Sequence, residues 1–134
     1  MNYQSNRSNF QRNSELMNLD ADLILNSGLE DTEKFLKHAE EFALKSGIST
    51  NQLRDLFDLI RPLKDNSDVK AKQQIAKILI KLEYAFRRKS ILPPFYFPIK
   101  PVLELLLKSS DDAKKRGNFV DFMEAVVAYS KDKK

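Results

Sequence analysis

Four cations, a glutamine and a tyrosine recur every three or four positions between residues 70 and 88, the spacing that places side chains on one face of an α-helix. On a helical wheel with about 100° between successive residues, one stripe collects six residues: Lys70, Gln74, Lys77, Lys81, Tyr84 and Arg88. Cationic side chains neutralise the phosphates of RNA, and a tyrosine ring can stack on a base or contact a ribose. These six residues, the basic stripe, therefore predict a surface that binds an RNA backbone.

The charge balance around the basic stripe favours this interpretation. Residues 69–90 carry seven cations and one acid, Glu83, for a net charge of +6. A helix that is only solvated normally mixes glutamate among its lysines, because i,i+4 pairs of opposite charge stabilise it. Arg87, Arg88 and Lys89 extend the cations to the predicted helix end, where positive charge also interacts favourably with the helix dipole. An ordinary solvated lysine face is the alternative interpretation.

The whole chain is charged asymmetrically. Its 134 residues carry a net charge of +4, which divides into −3 over residues 1–66 and +7 over residues 67–134. One basic half is typical of a protein that presents one surface to a polyanion.

The composition leaves little material for catalysis. The chain has no Cys, one His and three Gly, so few residues could form a catalytic base, a metal cluster or a phosphate-binding loop. We predict no enzyme activity, no catalytic residue, no metal site and no cofactor. No apolar run approaches the ~20 residues of a membrane span, and the polar N-terminus lacks the apolar stretch of a signal peptide. These features predict a cytoplasmic protein without a membrane partner.

The N-terminal residues differ in composition from the rest. Residues 1–18 are rich in Asn, Ser and Gln and cannot bury enough apolar surface to offset the entropy of ordering. We predict a disordered, mobile polar tail over residues 1–20 and a single helical domain over residues 21–134.

Capping residues mark the first two helices of this domain. Apolar residues at helical spacing predict a first helix over residues 31–46, which Gly47 should end. Ser49 and Gln52 form a capping-box pattern that should begin a second helix, and Pro62 should stop it.

The third helix carries the basic stripe. Asp68 is expected to cap it, and it should run over residues 69–90. Its core face is predicted opposite the stripe, with Ala71, Ile75, Leu79, Leu82 and Phe86. Residues 91–101 contain four prolines, which predict an extended, stiff connection. The aromatic residues 95–97 of this connection either pin it to the bundle or stack on bases.

Two more helices complete the predicted fold. The fourth should begin near Pro98 or Pro101 and end at Gly117, and Asn118 should cap a last helix over residues 119–131. The break before that helix suggests a hinge, and a domain-swapped dimer is a further hypothesis. The sequence therefore predicts an all-α fold, a compact bundle of about five helices.

Three sequence blocks suggest a family. They are Ser-Thr-Asn-Gln-Leu-Arg-Asp-Leu-Phe at 49–57, Lys-Leu-Glu-Tyr-Ala-Phe-Arg-Arg at 81–88 and Phe-Val-Asp-Phe-Met-Glu-Ala-Val-Val-Ala-Tyr at 119–129. Together they resemble the small helical subunit of type III-A CRISPR effector complexes over residues 48–131. The family pattern has glycine where this chain has Arg87.

The resemblance implies a non-catalytic RNA-binding subunit, present in several copies, that contacts the guide RNA–target RNA duplex and neighbouring subunits. Other subunits would then cleave RNA and DNA. A homodimer or self-stacking is also expected. The family pattern implicates Arg54, Tyr84 and Arg88 in RNA binding, and the charge pattern adds Lys70, Lys77, Lys81, Arg87 and Lys89. The alternative is a helical protein-interaction module that docks an acidic partner on its basic face.

Some other side chains have competing interpretations, and others have one expected role. Arg54 binds RNA or pairs with Asp58 four residues on. The cations at 114–116 contact RNA or stabilise a helix end. Glu124 is expected to be a partnered carboxylate within apolar packing, and His38 a surface histidine.

Overall fold

The structure is a computed structural model and describes residues 16–130. Short capping sequences separate five α-helices within this range. These are α1, Thr32–Ser46; α2, Thr50–Ile60; α3, Asp68–Arg87; α4, Pro93–Lys108; and α5, Ala113–Tyr129. A π-helical turn, Asp22–Ser27, and two 3-10 turns, Gly28–Asp31 and Arg61–Lys64, lie between or before them. No strand occurs within residues 16–130. The predicted all-α bundle of about five helices is confirmed.

Local signals place the first two helices as expected. Gly47 has a left-handed φ of 64° at the end of α1, where a glycine avoids the steric cost of a Cβ atom. The Ser49 hydroxyl accepts the Gln52 N–H at 3.1 Å and begins α2. That helix ends at Ile60, two residues before Pro62.

The cap of α3 differs from the predicted one. Ser67, rather than Asp68, accepts the Lys70 N–H through its side chain, at 3.4 Å. Asp68 is the first helical residue, where a carboxylate interacts favourably with the helix dipole. The Asp68 carboxylate also lies 3.1 Å from the Arg116 guanidinium.

The predicted extended connection at residues 91–101 is wrong, because α4 begins at Pro93. Pro93 and Pro94 occupy the first turn, which needs no N–H donor. Pro98 and Pro101 lie inside the helix, where each costs roughly 3 kcal/mol. Burial offsets that cost at about 1.5–3 kcal/mol per large side chain. The residues that α4 buries are Phe95, Tyr96, Pro98, Ile99, Val102, Leu103 and Leu106.

The predicted position of the break before the last helix, at Gly117, is also wrong. The chain turns at residues 109–112, where the Asp112 carboxylate accepts the Lys115 N–H at 3.1 Å, and α5 then runs through Gly117 without interruption. An interior glycine costs only about 1 kcal/mol, which the long-range bonds of its neighbours Arg116 and Asn118 outweigh. The hinge on which the domain-swapped dimer hypothesis rested is therefore absent at Gly117.

Helix α5 lies at the centre of the packing. It contacts α1, α2 and the π-helical turn. Its Phe122 ring meets Phe35 edge-on with centroids 5.6 Å apart and stacks near Phe42 at 6.4 Å, while Phe42 stacks on Phe95 at 5.3 Å. The exception is Glu124, which is exposed rather than packed among these rings.

The predicted tail falls partly within the described residues. Met17 and Leu19 are half-buried and pack against the core, and residues 1–15 lie outside the described residues. The Asp20 N–H donates to His38 Nε2 at 3.0 Å, and the His38 ring lies 5.8 Å from the Phe122 ring. His38 is thus half-buried at the surface, with one side of its ring near Phe122 and Nε2 bonded to the backbone. The single domain over residues 21–134 stays a prediction.

The protein is expected to lose stability as the pH falls through the range of His38. Burial lowers the pKa of His38 below its ordinary value, although Asp20 and Glu41 oppose the shift. The folded state therefore favours neutral His38, and protonation below about pH 6.5 favours the unfolded state. Protonated Nε2 also cannot accept the Asp20 N–H. Thermal melts from about pH 7 to about pH 5 should fall more steeply for the wild type than for His38→Gln. Parallel profiles would contradict this assignment.

Candidate nucleic-acid interface

The basic stripe lies on a flank of α3, not opposite its buried face. The buried residues of the helix are Ala71, Ile75, Ile78, Leu82 and Ala85, and their centre lies about 100° from the stripe on the wheel. Leu79 and Phe86, predicted for the core face, are only partly buried. The stripe lies on the side of α3 nearer to α2, because the amide of its member Gln74 donates to the Leu59 carbonyl of α2 at 2.7 Å. The buried face of α3 is rotated from its predicted position because the helix packs against both α2 and α4.

The stripe cations are accessible and have no carboxylate partner. Lys70, Lys77 and Arg88 are exposed, and Lys81 is half-buried. None of the four forms an ion pair with any carboxylate of residues 16–130. Burial of these cations, or their neutralisation within the fold, would have removed the basis for RNA binding.

Tyr84 is the aromatic member of the stripe. Its side chain is 58% exposed, and the Arg88 guanidinium lies over the ring, 5.2 Å from the centroid. This cation–π contact holds the two side chains together at i,i+4 spacing. Both groups are therefore positioned side by side on the same turn of the surface.

Arg87 lies outside the stripe, and its charge is matched. Its Nε donates to Glu83 Oε2 at 2.7 Å, and Glu83 Oε1 accepts the Tyr96 hydroxyl of α4. The hydrogen bond from Tyr96, followed by that from Arg87, lowers the pKa of the Glu83 carboxyl. Phe86 stacks on Tyr96 with centroids 3.8 Å apart. These contacts fasten the end of α3 to α4, and the helix continues through Arg87 where the family pattern has glycine.

Lys89 follows α3 in a left-handed conformation, with φ at 65°. The Ser90 N–H bonds to the Ala85 carbonyl at 2.9 Å, the 6→1 bond of a Schellman motif. Lys89 lines a cleft of about 400 Å³ together with Phe86 and Leu92. It thus lies at the α4 side of the helix end and not on the stripe.

Arg54 is exposed on α2. The pairing expected with Asp58 is not formed, since Asp58 instead lies 3.8 Å from Arg61. No hydrogen bond or ion pair in the described part of the chain joins Arg54 to the stripe.

Sequence reasoning missed the role of Arg116. Its side chain is only 3% exposed. The guanidinium donates to the carbonyls of Leu63 at 3.2 Å and Asn66 at 3.1 Å, and to that of Ser110. Arg116 is therefore a structural clamp and not an RNA contact. No local signal distinguishes it from the adjacent Lys114, which is exposed and lies 3.3 Å from Glu30.

The rest of the described surface adds no other site. Residues 16–130 contain no group of three or more His, Asp and Glu side chains close enough together to hold a metal ion. None of the helices in this range is both long enough and apolar enough to cross a bilayer.

Comparison with known proteins identifies the family. A family model described as Csm2 Type III-A matches residues 29–134, a range that includes all five α-helices and the whole basic stripe. No curated protein and no solved structure matched the chain.

Proposed function

Because the chain belongs to the Csm2 Type III-A family of CRISPR effector-complex subunits, we propose that it is a non-catalytic subunit that binds RNA through its basic stripe. Membership in this family implies association with other subunits of the complex. Guide RNA and target RNA then lie along α3, and any cleavage takes place on other subunits.

The observation that carries this proposal is the row of cations without carboxylate partners on α3. From Lys70 to Arg88 the row extends about 27 Å along the helix at ~1.5 Å per residue, long enough to contact several phosphates. Lys77, Lys81 and Arg88 bind phosphate oxygens, and Tyr84 packs on a ribose or a base.

The other candidate residues have secondary roles in this proposal. Lys70 extends the stripe at the helix start. Arg54 and Lys89 lie on other surfaces, so they contact RNA only if the strand passes beyond the stripe. Arg87 contributes least, because Glu83 already neutralises it.

Charge reversal of the stripe tests this proposal. The triple variant Lys77→Glu, Lys81→Glu, Arg88→Glu is expected to bind any RNA sequence at least about tenfold more weakly, because it loses three phosphate contacts. The slope of log affinity against log salt concentration, which is negative, should become shallower by about three. Binding to RNA duplexes of unrelated sequence, measured over a salt series, gives both quantities.

A second triple variant controls for net charge. Lys34→Glu, Lys37→Glu, Lys45→Glu makes the same charge change on α1, away from the stripe, and should retain most of the affinity. Equal losses in the two triple variants would contradict a specific role for the stripe. If the stripe variant kept RNA binding but failed to assemble with other subunits, the stripe would dock an acidic protein instead.

A further inference from the structure

A cleft of about 400 Å³ lies where the end of α3 meets the start of α4, and we call it the α3–α4 cleft. Cavities of this size hold ligand groups in many proteins. Its walls are mainly apolar, and no carboxylate is among the residues that line it, which are Phe86, Arg87, Lys89, Ile91, Leu92 and Pro93. None of these six residues belongs to the basic stripe.

Apolar side chains around the α3–α4 cleft are open to solvent. Leu92 is 50% exposed. Phe97 is also 50% exposed, and its ring meets the Phe86 ring edge-on with centroids 5.5 Å apart. Exposed apolar groups that lie together mark binding surfaces, whereas single ones do not. The cleft therefore offers a place in which a large apolar side chain of another molecule would be removed from water.

Lys89 is exposed, lines the cleft and has a backbone conformation that costs free energy. Its φ of 65° is left-handed, and it occupies the position after α3 that glycine usually fills in a Schellman motif. Lys89 forms no ion pair with any carboxylate of residues 16–130. Its charge interacts favourably with the helix dipole, but Arg87 and Arg88 already supply cations to this turn. A negatively charged ligand gives the lysine a role that the fold does not.

The donors that could meet an anion in the cleft are side chains and not backbone groups. Arg87 bonds to Glu83 through Nε, and its terminal nitrogens donate to no group within residues 16–130. The start of α4 offers no free N–H, because Pro93 and Pro94 have none and the Phe95 N–H already bonds to a backbone carbonyl at 3.0 Å. A compact anion such as phosphate therefore lacks the backbone donors that a helix N-terminus normally supplies.

We propose that the α3–α4 cleft binds an acidic peptide segment of a partner protein, one apolar side chain of which enters between Phe86 and Leu92. Carboxylates beside that side chain pair with Lys89 and with the terminal nitrogens of Arg87. A nucleobase fits less well, because its polar edge needs hydrogen-bond partners that hydrocarbon walls do not provide. The proposal does not rest on RNA binding by the basic stripe, which lies on the side of α3 nearer to α2.

Labelled synthetic peptides test this proposal on the full-length protein. The probes carry a central leucine, phenylalanine or tryptophan between pairs of glutamates, and at least one of them should bind in fluorescence anisotropy at low salt. Replacing its central residue by serine, or its glutamates by glutamines, should each weaken binding at least about tenfold, because each change removes one of the two kinds of contact. No binding by any probe, or equal binding by the serine peptide, would overturn the proposal.

Lys89→Gly gives a readout that a purely structural role would not produce. The variant removes the cation from the cleft and relieves the left-handed backbone, so peptide affinity should fall about fivefold while the melting temperature stays the same or rises. Lys72→Gln is the control, because it removes the same charge from an exposed position about 25 Å away along α3. Equal losses of affinity in the two variants, or a lower melting temperature in Lys89→Gly, would contradict the role assigned to Lys89.

A further pair of variants separates the cleft from the RNA surface. Leu92→Ser should weaken peptide binding at least about tenfold and leave RNA binding unchanged. Serine is a favoured residue at the start of a helix, so this variant should stay folded, which circular dichroism checks. The double variant Lys77→Glu, Lys81→Glu should do the reverse. If single-stranded RNA displaced the peptide from the double variant, whose stripe is impaired, the cleft would be a nucleic-acid site and the proposal would be wrong.

Discussion

Arg116→Ala is expected to lower the free energy of unfolding by about 3–5 kcal/mol, mainly because buried carbonyl groups lose their donor. The guanidinium satisfies the carbonyls of Leu63, Asn66 and Ser110 and pairs with Asp68. Alanine would leave these carbonyls unpaired in a buried place, at roughly 1–3 kcal/mol for each group that water cannot reach. Most domains are stable by only about 5–15 kcal/mol, so the loss is a large fraction of the total.

Chemical denaturation measures this loss. Lys114→Ala is the matched control, because it removes a cation two residues away whose only described partner is an exposed carboxylate. Such a surface pair contributes about 0–1 kcal/mol. Similar midpoints for the two variants would show that Arg116 does not clamp the turns.

Gly28→Ala is expected to lower the free energy of unfolding by about 2–5 kcal/mol. Gly28 has a φ of 54°, and a Cβ atom there would lie 2.5 Å from the side-chain oxygen of Asn118. The left-handed backbone alone costs a non-glycine residue roughly 1–2 kcal/mol. Displacing Asn118 would also break its 2.7 Å hydrogen bond to the Leu25 carbonyl, at about 1–3 kcal/mol.

A double-mutant cycle separates these two costs. In an Asn118→Ala background the collision and the hydrogen bond are both absent, so Gly28→Ala should cost only the backbone term of about 1–2 kcal/mol. Denaturation of the four proteins gives the coupling. If Gly28→Ala costs the same in both backgrounds, the contact with Asn118 has no energetic role.

Local signals in the sequence were sufficient for some elements of the fold. Gly47 and Ser49 act within a few residues, so their caps follow directly from residue type. The proline-rich segment at residues 91–101 is helical and not extended, because the burial that stabilises the helix comes from distant parts of the chain. Phe95, for example, stacks on Phe42, 53 positions earlier. Gly117 was misjudged for the same reason, since the bonds of its neighbours reach Leu63 and Leu25.

The candidate site was predictable in composition but not in detail. The helical wheel grouped four accessible cations of α3 and its neighbouring turn on one flank, because spacing alone determines which residues share a flank. It could not show that Arg87 is neutralised, since Glu83 is held in place by Tyr96 from a segment expected to be extended. The angle of the stripe also depended on two neighbouring helices whose packing no periodicity reveals.

The junction of Glu83, Phe86 and Tyr96 has a mechanical consequence. It holds α3, which carries the cations, directly against α4, in addition to the short link at residues 88–92. The row of cations therefore keeps a fixed orientation relative to the core. An RNA strand bound along this row would have to adapt its own path to a straight and rigid line of charge.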